Sequence, residues 1–288
     1  ESGEGEDLVP NFVTRLEQAC EANRSLVCVG LDVDPARMPV DDAFEFNKAI
    51  IDATGDLVCA YKPNLGFYEA MGMPGLTALQ RTVDYIRRAS PQAVVIGDAK
   101  RGDIGSTAQV YAHAMFQVWD FDAVTVNAWG GLDTLEPYLE YDDRGVFIWC
   151  RGSNPGAADL QDLTADTPQG KMPLYQHLAH TAQTWNRRGN VGLVMGATRP
   201  EQLGAVRRIC PELPLLIPGV GAQSGELGAT VPFGVDGRGR LAIINSSRAI
   251  IYASEGANFA QAARREAARL RDAVNLILES EGKGWPSS

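Results

Sequence analysis

The densest group of residues able to do chemistry is Asp98-Ala-Lys100-Arg-Gly-Asp103-Ile-Gly-Ser-Thr107, which follows the apolar run Ala93-Val-Val-Ile-Gly97. On a strand Asp98 and Lys100 face the same side, because side chains repeat with period two. Gly102 allows a sharp turn that would return Asp103 toward them. Lys62 closes an earlier apolar run after Cys59-Ala-Tyr61, so neighbouring strands would gather two ammoniums and two carboxylates. For an isolated Asp-x-Lys the plain alternative is a solvated rim of salt bridges. A separate anion site weighs against it: Gly219-Val220-Gly221 offers unobstructed backbone N–H groups, and Arg248 offers a fork of donors. No Gly-Lys-Ser/Thr follows these glycines, so a nucleotide P-loop is not expected.

Lysines held charged by neighbouring carboxylates are poor nucleophiles, which argues against Schiff-base chemistry. An ammonium instead suits stabilising a developing carbanion and then giving it a proton. A carboxylate set against an anionic substrate group favours that group's departure as a neutral molecule. Beside a phosphate-anchored ligand, these requirements describe decarboxylation without a cofactor.

Such a cluster needs elements that deliver it to one place. Eight short runs rich in Val, Ile and Leu read as buried strands: Leu26–Asp32, Leu57–Lys62, Ala93–Asp98, Asp122–Asn127, Val146–Arg151, Asn190–Met195, Leu213–Pro218 and Leu241–Asn245. Segments of helical period lie between most of them, such as Asp42–Thr54, Gly75–Ala89, Thr107–Trp119 and Tyr175–Arg188. Eight βα units predict an α/β protein, a single closed (β/α)8 barrel rather than an open doubly wound sheet, with chemistry at the C-terminal ends of its strands. One domain is expected over 7–282, with 1–6 and 283–288 as flexible tails. The Gly/Pro/Asp-rich stretch Ser153–Pro173 reads as a long loop or lid after the fifth strand, and Asn258–Glu281 as a final amphipathic helix.

Composition narrows the partners. A chain 45% hydrophobic and 22% charged is an ordinary globular protein rather than a disordered one. Its 36 acidic residues against 26 Lys plus Arg lack the electrostatic footprint of a nucleic-acid or anionic-membrane binder. No apolar stretch approaches the ~18–20 residues of a transmembrane helix, and the acidic opening is unlike a signal peptide, so a cytoplasmic location is expected. Five cysteines, three of them in apolar runs, predict no disulfide framework. His177 and His180 lack an obvious third ligand, so no metal is expected there.

Together these motifs resemble the orotidine 5′-monophosphate decarboxylase family in its longer bacterial form, over about Leu26 to Ala253. Most specific is Asp-x-Lys-x-x-Asp-Ile at Asp98, Lys100, Asp103 and Ile104. Gly30-Leu31-Asp32, Tyr61-Lys62-Pro63-Asn64, Cys150-Arg151-Gly152-Ser153-Asn154-Pro155-Gly156, Pro218-Gly219-Val220-Gly221-Ala222-Gln223 and Arg248 support it. The resemblance implies that Asp32 and Lys62 bind the ribose hydroxyls, and that Lys62, Asp98, Lys100 and Asp103 form a charged network. Lys100 would protonate C6 as carbon dioxide leaves. It further implies that Asp103, Ile104 and Thr107 enter the site from a partner subunit, hence a symmetric homodimer with both sites at the interface. Ser153 would bind the pyrimidine amide edge. Gly221, Gln223, Ser247 and Arg248 would hold the phosphate. Asn127 and Arg151 lie at the rim with no contact assigned, and Gly152 stands where a small hydroxylated residue is expected.

Two rival readings have distinct requirements. A metal-dependent sugar-phosphate decarboxylase of similar motif needs an acidic residue on the second strand, where Lys62 would repel Mg²⁺. A barrel that binds a nucleotide without turnover would need the Gly219 loop, Arg248 and Ser153 but not Lys100. Trp119, Trp129 and Trp149 read as core or interface packing.

Overall fold

The computed structural model describes residues 10–220 and 224–286. In chain order its elements are α1 (Phe12–Asn23), β1 (Val27–Leu31), α2 (Ala43–Thr54), β2 (Ala60–Pro63), α3 (Leu65–Ala70), α4 (Gly72–Ala89), β3 (Val94–Arg101) and α5 (Gly105–His113). There follow β4 (Ala123–Val126), α6 (Glu136–Leu139), β5 (Gly145–Arg151), β6 (Thr164–Thr167), β7 (Gly170–Pro173), α7 (Leu174–Trp185) and β8 (Val191–Met195). The last are α8 (Pro200–Ile209), β9 (Leu215–Pro218), α9 (Ser224–Gly234), β10 (Ala242–Ser246), α10 (Arg248–Ile251) and α11 (Phe259–Ser280).

The eight apolar runs become eight parallel strands that close in the order β1-β10-β9-β8-β5-β4-β3-β2. Their continuous Val/Ile/Leu character suits strands covered on both faces, by barrel interior and by helices. β1, β2, β4, β8 and β10 are buried at every position, whereas β3 is buried from Val94 to Asp98 and opens toward solvent at its end. Among the described residues no helix is long and apolar enough to cross a membrane.

The structure departs from sequence expectation at particular elements. β3 runs past Asp98 to Arg101. The helix expected over Gly75–Ala89 begins at Gly72 and is preceded by α3, capped by Asn64. The helix expected from Thr107 starts at Gly105 and passes into a π-turn segment, Ala114–Val118, before Trp119. The stretch after β5 is not all loop: β6 and β7 pair as an antiparallel hairpin.

Below the strands the barrel is sealed. Phe12 of α1 packs edge-on against Phe147 and lies beneath Gly145 at the start of β5. Asp122, buried at the start of β4, accepts hydrogen bonds from Val95 N at 2.8 Å and Arg87 at 2.6 Å, and also pairs with Arg15. The C-terminal tail expected from residue 283 is not loose at its start. Trp285 lies 3.6 Å under the Arg240 guanidinium and donates to Asn275 Oδ1 at 2.9 Å. A cation stacked on an indole, with the indole N–H satisfied, is enough to dock the segment near the start of β10.

Candidate active site

At the opposite end of the strands one carboxylate collects three donors. Lys62 Nζ lies 2.7 Å from Asp98 Oδ2, and Lys100 Nζ lies 2.6 Å from Asp98 Oδ1. The Thr125 hydroxyl donates to the same Oδ1 at 2.9 Å. Lys62 and Asp98 are buried, while the Lys100 side chain is 38% exposed and reaches the open mouth. Burial alone would raise the Asp98 carboxyl, but the charges of Lys62 and Lys100 outweigh it and hold the group well below the usual carboxylate range. Burial likewise opposes the Lys62 ammonium, and Asp98 and then Asp32 overcome it, raising its pKa. Beneath them, burial pushes the Cys28 thiol up to about 12, so it stays neutral.

Lys100 reaches Asp98 by a route that period two does not describe. Its backbone is left-handed, with φ 46°, and the β3–β4 register shifts between Gly97 and Arg101. A non-glycine residue held there costs on the order of 1–3 kcal/mol, so its surroundings must fix it. They do so through Thr125, which accepts from Lys100 N at 3.0 Å while donating to Asp98. Asp103 does not follow the expected return. It is exposed, its carboxylate accepts from Ile104 N at 2.8 Å, and among the described residues no ion pair reaches it. The bulge directs the chain outward after Lys100, so Asp103, Ile104 and Thr107 face solvent on the flank of the mouth.

The remaining site candidates lie around the same rim. Asp32 follows β1, half-buried, with its Oδ1 enclosed and lacking a hydrogen bond. Ser247 and the exposed Arg248 follow β10, and among the described residues Arg248 has no ion-pair partner. Gly219 after β9 has φ 85°, a conformation that favours glycine, and a Cβ there would stand 3.5 Å from the Ser153 hydroxyl. Ser153 and Gly219 are therefore neighbours. Gly221 and Gln223 lie outside the described residues.

Several supporting residues carried no signal in the sequence. Tyr252 Oη donates to Asp32 O at 3.1 Å and accepts from Asp34 N at 2.6 Å, and Tyr68 Oη donates to Leu31 O at 3.1 Å, fixing the Asp32 segment. Arg151, left without a contact above, pairs bidentately with Asp162 at 2.9 Å through both Nε and Nη2, tying the base of the lid to β5. Asn127 Oδ1 accepts from Trp129 N at 2.9 Å and shapes the turn after β4. A threonine inside an apolar run reads as an ordinary strand former, which is why Thr125 was invisible.

Residues 25–264 match the family described as orotidine 5′-phosphate decarboxylase / HUMPS. The chain is 49% identical over 265 residues to the orotidine 5′-phosphate decarboxylase of Dehalococcoides mccartyi, covering 92% of this chain and 97% of that one. It is 50% identical over 277 residues to that of Roseiflexus castenholzii, covering 94% and 99%. The structure of Leishmania donovani OMP decarboxylase matches with a TM-score of 0.81 at 36% identity, covering 93% of this chain and 98% of the other. A barrel whose mouth sets Lys62, Asp98 and Lys100 in contact, matched nearly end to end by such relatives, belongs to the orotidine 5′-phosphate decarboxylase / HUMPS family.

Proposed function

We propose that this chain decarboxylates orotidine 5′-monophosphate to UMP and CO2, the step of its family relatives in pyrimidine biosynthesis, with Lys100 as the proton donor. The observation that carries the assignment of roles is the 2.6 Å contact between Lys100 Nζ and a carboxylate kept ionised at the barrel mouth. In this reading the phosphate is anchored by the Gly219 loop, Gly221, Gln223, Ser247 and Arg248. Asp32 and Lys62 take the ribose, and Ser153 the pyrimidine amide edge. The substrate carboxylate is pressed toward Asp98. The bond from C6 to that carboxylate breaks, CO2 leaves neutral, and the electron pair stays on C6 beside the Lys100 ammonium. A proton then passes from Nζ to C6, and the partly exposed amine regains one from solvent.

Magnitudes require several contributions. Enzymes lower barriers by ~8–23 kcal/mol, whereas losing one preorganised donor costs about 3–4 kcal/mol. Lys100 stabilisation, crowding against Asp98 and remote phosphate binding act together. A homodimer completes the site: Asp103 from a second copy joins the network, with Ile104 and Thr107 beside it. Supporting this are Asp103, exposed and without an ion pair among the described residues, and the apolar side chains left in water on the same chain segment and after β4, Ile104 at 67%, Val110 at 63% and Trp129 at 81% exposure. The test of the chemistry is Lys100→Ala, followed by loss of orotate absorbance. Turnover should fall by many orders of magnitude with the fold and phosphate affinity retained. Near-normal turnover would remove Lys100 from the role.

A further inference from the structure

Along β3 and β4 the ladder sets Gly97 opposite Val124 and resumes with Arg101 opposite Val126. Asp98, Ala99 and Lys100 therefore stand against a single β4 residue, Thr125, and the extra residues of such a bulge lose their regular partners across the ladder. The Lys100 N–H finds its acceptor in a side chain instead, the Thr125 hydroxyl oxygen at 3.0 Å. Thr125 is only 1% exposed, so its hydroxyl has protein groups rather than bulk water as partners.

A hydroxyl can donate and accept at once, and here it does both toward the same strand. Its proton goes to Asp98 Oδ1 at 2.9 Å, and a lone pair takes the Lys100 N–H. Asp98 Oδ1 also receives Lys100 Nζ at 2.6 Å, which closes a ring from the hydroxyl through the Lys100 backbone and side chain to the carboxylate and back. The ring fixes both ends of the lysine, its left-handed start at φ 46° and its charged tip. Lys62 holds the other oxygen, Oδ2. When Lys100 gives up its proton, Oδ1 loses its charged donor, and the Thr125 hydroxyl remains to keep that side of the carboxylate in place while Nζ is neutral. Because the hydroxyl is committed to Asp98 and Lys100, it acts through them rather than on the substrate.

We infer that Thr125 is a positioning residue for the proton transfer, its hydroxyl setting the placement of Lys100 Nζ and of the Asp98 carboxylate and so governing kcat rather than substrate affinity. The inference rests on Lys100 being the proton donor, and the experiment separates the two. Thr125→Val removes the hydroxyl at nearly constant shape, whereas Thr125→Ser keeps the hydroxyl and loses the methyl group. Both are assayed with orotidine 5′-monophosphate beside Lys100→Ala, with UMP affinity and melting temperature measured for each. For Thr125→Val kcat should fall about 10- to 100-fold, the upper figure being the scale of a reacting group misplaced by about 1 Å. KM and UMP affinity should stay within about threefold, since Asp32, Ser153, Ser247 and Arg248 follow other strands. Thr125→Ser should keep kcat within about threefold of wild type even where the lost methyl group lowers the melting temperature. A residue that merely fills space gives the reverse order, with Thr125→Val tolerated and Thr125→Ser impaired. That reverse order would overturn the inference, as would equal losses of kcat in the two variants or a loss of UMP affinity matching the loss of kcat. If Lys100→Ala abolishes turnover and Thr125→Val leaves kcat near wild type, only the Thr125 inference fails. If Lys100→Ala turns over near normally, the proton-donor assignment itself is wrong.

Discussion

Asp98 is the residue on which the mouth depends, because both lysines and Thr125 point to it. Asp98→Asn should lower kcat by about 100-fold or more, the scale of a preorganised electrostatic group, while UMP binds more tightly once the fixed negative charge is gone. Steady-state kinetics with a UMP titration checks both; unchanged kcat would remove crowding from the mechanism. The same side chain sets a pH signature. Its folded pKa is depressed, so its stabilisation is present above the unfolded value of about 4 and is lost as pH falls through the lower folded one. Lys62 is raised, so its contribution is full below about 10.4 and fades only as pH rises through its higher folded value. Between pH 5 and about 9 the pair should therefore be silent. The urea midpoint should drop more steeply from about pH 4 downward in wild type than in Asp98→Asn. At this scale the sequence was readable where charge sits at the end of an apolar run, as for Lys62, Asp98 and Lys100. It was unreadable where backbone conformation decides, since nothing in Asp-Ala-Lys announces a left-handed Lys100 or an outward Asp103.

Among the elements, the strands were legible because burial on both faces leaves an unbroken apolar signature, and the long helices because one face must be apolar. α3 was not, being only six residues long, nor was α1, which is held in place by a tertiary contact, Phe12 on Phe147. The hairpin after β5 was hidden for another reason: its strands, Thr164–Thr167 and Gly170–Pro173, have no buried residue and no hydrophobic alternation. Its anchorage is the consequential part. Arg151 is buried on β5, and Asp162 is its only ion-pair partner among the described residues, so Asp162→Ala strands a buried guanidinium and frees the lid's base. Breaking a fully buried pair costs about 3–5 kcal/mol, and with Asp162 partly exposed we expect about 2 kcal/mol. Cleavage by protease within residues 164–173 should accelerate, and KM should rise more than kcat falls. Intact resistance to protease would show that Arg151 does not secure the lid.

For the whole molecule, the barrel followed from counting βα units, but the position of Asp103 did not, because within one chain Asp98 meets both lysines while Asp103 turns outward. If a second copy provides Asp103, then mixing an Asp103→Asn protein with a Lys100→Ala protein should restore activity. Hybrid dimers would hold one site with both residues native, up to about a quarter of wild type for random exchange with one native site in half of the dimers. No recovery despite demonstrated subunit exchange would place Asp103 outside the reaction. The floor of the barrel carries a practical consequence of its own. α1 and the Trp285 clasp hold both described chain ends against the starts of the strands, on the face away from Lys100. An affinity handle or a surface linkage attached at either end would thus leave the entrance facing bulk solution, and immobilised enzyme should take up nucleotide as freely as dissolved enzyme.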